Sequence, residues 1–165
     1  MIHRLIVMRH AKSSWDSEAA TDHARPLNPR GRHDAPRIGQ RIESKGWLPD
    51  LVLSSDSTRT RETCRMMCAV WTKLPEVEYK SDFYHGSVED IQAALATLAP
   101  PAETVLVLGH NPGWEHASRW FSGEYESMTT ANAALLQIEA ENWAQAAQAC
   151  GEWTMVDYLR PRELD

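Results

Sequence analysis

At 165 residues, with 42% apolar and 24% charged side chains, the chain has the length of one domain and enough apolar material to fill a core. A formal net charge of −6, from 17 Lys and Arg against 23 Asp and Glu, excludes a protein that coats nucleic acid through a basic face, but allows arginines to gather in a local pocket. No apolar run approaches a membrane span and the N-terminus carries no signal-peptide pattern, so a cytoplasmic chain with no membrane partner is expected.

Ile2–Met8 reads as a buried first strand. The polar stretch Ala11–Leu27 follows, too long for an idle connection. Asn28-Pro29 reads as an N-cap and a first-turn proline, opening a helix to about Ser44 with Ala35, Ile38 and Ile42 on one face. Pro36 should kink that helix or delay its start. Leu51–Leu53 is a short second strand. Ser55–Ser57 caps a helix expected to reach Thr72 and to bury Met66, Met67 and Val70. Val77–Tyr79 is a third strand, and Ser87 opens a helix whose inner face is Ile91, Ala94, Leu95 and Leu98, stopped by Pro100-Pro101. Thr104–Leu108 is a nearly all-apolar fourth strand, as a central strand should be. Asn111-Pro112 begins a helix ending near Gly123. Ala133–Ile138 and Glu152–Leu159 are later strands, with an Ala-rich helix over about Asn142–Cys150 between them that stops at Gly151. Strand and helix alternate without a repeat or linker, which predicts one α/β domain over residues 1–165 with helices on the faces of a sheet. Cys64, Cys68 and Cys150 are odd in number and lack a C-x-x-C spacing, and read as reduced thiols.

Four groups of residues carry chemistry. Arg9-His10 ends the first strand, where ligands of an open α/β sheet bind. His110 ends the fourth strand, just before a helix whose N-terminus favours an anion. Ser55, Arg59 and Thr63 are spaced by four after the second strand, which points Arg59 from a first helical turn at the same crevice. Arg25-Pro26-Leu27 closes the long first loop, from which Arg25 can swing over the crevice. Two histidines with two or three arginines at strand ends suit phosphoryl transfer: guanidinium groups neutralise phosphoryl oxygens, and the same cations hold a histidine unprotonated for attack on phosphorus. The seven histidines match no metal-binding spacing, so neither a metal nor another cofactor is expected.

Arg9-His10, the Ser55-x-x-x-Arg59-x-x-x-Thr63 block and Gly109-His110 resemble, in order and spacing, the histidine phosphatase superfamily (phosphoglycerate mutase-like). Arg25-Pro26-Leu27, His110-Asn111-Pro112 and Thr129-Thr130-Ala131-Asn132 resemble its SixA-type phosphohistidine phosphatase branch. The resemblance implies a three-layer αβα sandwich with a mostly parallel central sheet and a metal-free mechanism. It implies His10 as nucleophile, Arg9 and Arg59 as phosphoryl ligands, His110 as the second pocket histidine and Arg25 as an additional pocket arginine. Ala11 stands where the superfamily usually has glycine. The acidic general acid of the mutases and many ester phosphatases has no counterpart in Asp82-Phe83-Tyr84-His85-Gly86, although Asp82 and His85 remain substitutes to weigh. An imidazole leaving group needs a proton donor far less than an alkoxide does. The expected substrate is therefore phosphohistidine on a protein. The alternatives are a phosphatase for small phosphate esters, drawing its acid from Asp82, His85 or the first loop, and a non-catalytic module that binds phosphate or phosphoprotein. Neither the substrate protein nor the oligomeric state follows from the sequence.

Overall fold

Leu5, Ile6, Val7 and Met8 are all fully buried, because their strand is covered on both faces. The structure, a computed structural model, describes residues 1–98 and 102–164. Six strands, β1 (Ile2–Arg9), β2 (Leu51–Ser55), β3 (Glu76–Lys80), β4 (Thr104–Gly109), β5 (Ala133–Glu139) and β6 (Thr154–Leu159), form one sheet in the order β3-β2-β4-β1-β5-β6. β3, β2, β4 and β1 run parallel. β5 pairs antiparallel with β1 and with β6.

Side chains alternate across the sheet with period two, so each strand feeds two cores. Leu5, Val7, Val105 and Val107 face one side, where α3 (Val88–Ala96), α4 (Gly113–Ser122) and α5 (Trp143–Ala147) bring Ile91, Leu95, Trp114, Phe121 and Trp143. Ile6, Met8, Val52 and Leu106 face the other, against Ala35, Ile38, Ile42 and Met67 of α1 (Pro29–Ser44) and α2 (Thr58–Cys68). This is the three-layer αβα sandwich expected. Among the described residues no helix is long and apolar enough to cross a membrane.

Several sequence expectations are corrected. α1 spans Pro29–Ser44 as expected, with Asn28 accepting a hydrogen bond from the Gly31 amide; Pro36 lies inside it and does not delay its start. α2 ends at Cys68, short of Thr72, and of the three apolar residues expected inside only Met67 is buried. Its inner face is instead Arg59, Thr60, Thr63 and Cys64, since that face looks onto a polar crevice as well as the core. α4 takes Pro112 as its N-cap, leaving the Asn111 side chain to donate to the Met128 carbonyl at 2.6 Å. α5 is a short helix ending at Ala147, and β6 starts at Thr154 because Trp153 turns inward and donates to the Ala146 carbonyl at 3.0 Å. The stop expected at Pro100-Pro101 lies outside the described residues.

Candidate active site

The register of β1 against β4 pairs Arg9 with Gly109, so the residues that follow, His10 and His110, emerge side by side at the carboxyl end of the sheet. Their ring centroids are 5.1 Å apart. Gly109 has no room for a side chain: a Cβ there would lie 2.5 Å from the Trp114 ring. Trp114 packs beneath that turn and donates to the Val107 carbonyl at 3.0 Å, which anchors His110 from below. β2 brings Ser55 to the same edge, and its Oγ is 2.8 Å from His110 Nε2. Ser57 caps α2 through the Thr60 amide at 3.3 Å, and the first turn then carries Arg59 inward. Thr63, one turn further on, donates to the Arg59 carbonyl at 2.7 Å and accepts the Ala11 amide at 3.1 Å. It thereby ties the backbone after His10 to the helix that holds Arg59.

His10 is 5% exposed, and its Nδ1 lies 2.6 Å from the Ala11 carbonyl oxygen. A carbonyl only accepts, so Nδ1 carries the proton and the neutral ring keeps its lone pair on Nε2. Arg59 Nε donates to that atom at 3.3 Å. Burial holds His10 well below the usual histidine value, reinforced by His110, Arg59 and Arg9 against the opposing pull of the Ala11 hydrogen bond. His110 is pushed down to about 3, by burial first and then by Arg59. The Arg9 guanidinium donates from one nitrogen to the Met128 carbonyl at 3.1 Å, and its Nε is buried without a protein partner. Two neutral imidazoles beside two guanidinium groups can bind a phosphoryl dianion and present it to an unprotonated nitrogen.

Of the residues expected in the site, Arg9, His10, Arg59 and His110 come together. Arg25 is joined to the pocket through Asp22. Its guanidinium stacks 3.6 Å from the Trp15 ring centroid and donates to Ser13 Oγ and to Asp22 Oδ1, each at 2.9 Å. Asp22 in turn contacts Arg59. Asp82 and His85 are exposed, and neither makes a hydrogen bond to the two pocket histidines among the described residues.

Three contributors escaped the sequence reading. Asp22 accepts from Arg59 and from the Tyr84 hydroxyl; its carboxyl is held far below the usual range, by the Tyr84 hydrogen bond first, then by Arg25 and Arg59. The Tyr84 ring stands edge-on to His110 at 5.4 Å. Glu115 accepts the Met128 amide at 2.6 Å, so the residue whose carbonyl holds Arg9 and Asn111 is fixed on both sides. The run Asp22-x-x-Arg25 was the available signal, an acidic residue one turn before an arginine already singled out. Nothing in the spacing of Tyr84 or Glu115 announced them.

Comparison with known proteins shows the family and the fold. Residues 5–96 match the model of the histidine phosphatase superfamily (branch 1). An uncharacterized chloroplastic protein of Arabidopsis thaliana is 40% identical over 96% of this chain and 78% of its own length. An uncharacterized protein of Mycobacterium tuberculosis is 32% identical over 94% of this chain and 100% of its own. Among solved structures, a candidate phosphohistidine phosphatase SixA from Nakamurella multipartitia is 28% identical with a TM-score of 0.81, covering 98% of this chain and 97% of that one. The protein histidine phosphatase SixA complexed with tungstate reaches a TM-score of 0.82 at 22% identity, with 98% and 99% coverage, a likeness of fold.

Proposed function

This chain belongs to the histidine phosphatase superfamily and to its SixA-type branch, and from that premise we propose that it hydrolyses phosphohistidine on a protein through a covalent intermediate on His10. It is a phosphatase by family. The substrate and the individual roles are our reading, and we place the enzyme, as one domain over residues 1–165, in the cytoplasm.

In this mechanism Nε2 of His10 attacks phosphorus in line while the bond from phosphorus to the substrate imidazole nitrogen breaks. The imidazole departs neutral when its other nitrogen already holds a proton, so the enzyme need not supply one. Arg9 and Arg59 hold the equatorial oxygens, whose charge is what the protein has to stabilise in a loose phosphoryl-transfer transition state. His110 adds a hydrogen bond to the same oxygens. Water then attacks phosphorus on His10, inorganic phosphate leaves with the proton of that water, and His10 returns neutral. The guanidinium groups supply the positive charge that a metal ion would otherwise bring, so the reaction is written without one.

The observation that carries the phosphohistidine reading is the hydrogen bonding of Asp22. This carboxylate is bonded to the pocket arginine Arg59, and its donors Tyr84, Arg25 and Arg59 favour the ionised form. An ionised carboxylate cannot protonate an alkoxide leaving group, whereas imidazole does not ask for that proton. The test is a substrate panel on the purified chain: a phosphohistidine peptide, the matching phosphoserine peptide, a sugar phosphate and p-nitrophenyl phosphate. The phosphohistidine peptide should lead the two unactivated esters in kcat/KM. Faster cleavage of phosphoserine or sugar phosphate would replace this reading with that of a small-ester phosphatase.

A further inference from the structure

Beside the phosphoryl pocket, on the other side of β1, lies a cavity of about 300 Å³ lined by Arg9, Lys12, Arg30 and Arg162, with Thr129 and Asn132 on its wall. Thr129 and Asn132 lead into β5 and Arg162 follows β6, so the cavity stands over the β5–β6 half of the sheet. His110 and Ser55 belong to the β4–β2 half. Arg9 serves both.

In a chain of net charge −6, four cations round one cavity with no carboxylate among its described lining residues reverse the sign of the surface locally. Lys12 and Arg162 have no acidic partner among the described residues, and Arg30 reaches Asp34 only at 3.6 Å. Cations this close repel one another within a Debye length of about 8 Å, and an anion placed among them removes that repulsion. Thr129 donates to Asn132 Oδ1 at 3.1 Å, which leaves the buried Asn132 Nδ2, without a protein partner, as a neutral donor of the kind that meets a bound carboxylate. The phosphoryl group itself is accounted for by His10, His110 and Arg59. Arg30 and Arg162 border the cavity and are exposed. An anion carried on the same molecule as the phosphohistidine would enter at high effective concentration.

We propose that this cavity is a second anion subsite that takes the carboxylate of an Asp or Glu side chain of the phosphorylated protein while His10 takes its phosphoryl group. The assignment rests on the phosphohistidine-protein reading above and adds to it a preference for phosphohistidines with acidic neighbours.

The test uses Arg30→Glu and Arg162→Glu, singly and combined. Both side chains are exposed, and an acidic residue in the first turn of α1 suits the helix dipole. The substrates are p-nitrophenyl phosphate, which is too small to span the two sites, a phosphohistidine peptide flanked by Glu, and the same peptide with Gln in place of Glu. Wild type should favour the Glu peptide by about tenfold in kcat/KM, the worth of one charge-assisted contact, expressed mainly in KM. The double variant should lose that preference while keeping its p-nitrophenyl phosphate rate within about threefold, the reach of exposed charges. Equal use of the two peptides by wild type, a comparison that needs no variant to fold, overturns the subsite. So does a Glu preference that survives in a double variant still active on p-nitrophenyl phosphate. Wild type that cleaves p-nitrophenyl phosphate but neither peptide overturns the phosphohistidine reading itself, and the subsite falls with it.

Discussion

Asp22 grips Arg59 twice, through its backbone carbonyl at 2.8 Å and its carboxylate at 3.2 Å. The long first loop is thereby fastened to the helix that carries the pocket arginine, and the guanidinium is aimed before any substrate arrives. Orientation set in advance is where much of the rate in phosphoryl transfer originates.

Asp22→Asn should therefore loosen Arg59 and slow turnover by about tenfold, since one contact of a charged pair is weakened while the backbone contact remains. The loss should be the same for good and poor leaving groups, because Asp22 acts through Arg59. A loss that grows with leaving-group pKa would identify Asp22 as a proton donor. Steady-state kinetics on two aryl phosphates of different acidity separates the outcomes.

His10→Ala should abolish turnover and leave the fold intact, since its ring lies at the end of a strand whose core residues are untouched. Wild type quenched with denaturant at alkaline pH should carry acid-labile, base-stable phosphate on His10, read by mass spectrometry of the peptide. Turnover in the alanine variant, with circular dichroism unchanged, would remove the proposed nucleophile.

Arg59→Ala should slow turnover by about 100-fold, on the order of 3 kcal/mol for one preorganised donor to developing charge. Vanadate inhibition should weaken with it. If both stay unchanged, the contact between Arg59 and His10 Nε2 has no part in phosphoryl binding.

The central strands were legible because apolar runs of strand length and the histidines at their ends follow from local pattern alone. The approach of His10 to His110 needed one further fact, the register of β1 against β4, and both strands are apolar enough to be central. Met66, Met67 and Val70 suggest an apolar face that runs past Cys68, but the face α2 buries is Arg59, Thr60, Thr63, Cys64 and Met67, and a largely polar inner face carries no hydrophobic period to mark its end. Arg25 is expected over the crevice; in the fold Trp15, Ser13 and Asp22 hold its guanidinium, and Asp22 links it to Arg59. Contacts made by a long irregular loop are tertiary, and no spacing encodes them. The same holds for Tyr84 and for Glu115 beneath the Met128 peptide.

Acid should cost stability well before it touches the carboxylates. An unfolded histidine titrates near about 6.5, while His10 and His110 in the fold stay neutral to much lower pH. Below about 6.5 the unfolded chain thus binds protons that the fold refuses, and stability rises with pH across that window. For His110 the window runs from 6.5 down to about 3. The contribution of Asp22, whose carboxyl is also depressed, is lost only below the ordinary carboxylate value of 3.8. Denaturant midpoints should fall between neutral pH and about pH 5, and His110→Asn should flatten that slope. Activity on p-nitrophenyl phosphate, corrected for substrate ionisation, should show no enzyme limb near pH 6.5; such a limb would mean that the pocket does not hold His10 neutral.

Leaving-group dependence gives the sharpest expectation. Asp22 is held ionised, and among the described residues neither Asp82 nor His85 is hydrogen-bonded to a pocket histidine, although His85 lies near enough to bear on His110, so the expectation is a site without a dedicated proton donor. Across a series of aryl phosphates the rate should fall steeply as leaving-group pKa rises, because little of the developing negative charge is neutralised by proton transfer. p-Nitrophenyl phosphate should be cleaved far faster than phosphoserine, and a phosphohistidine peptide should outrun both, since its imidazole brings its own proton. Asp82→Ala and His85→Ala should each keep most of the phosphohistidine activity. A shallow dependence that turns steep in either variant would reveal a general acid at that position. The preference for a phosphorus–nitrogen bond would then lose its chemical basis.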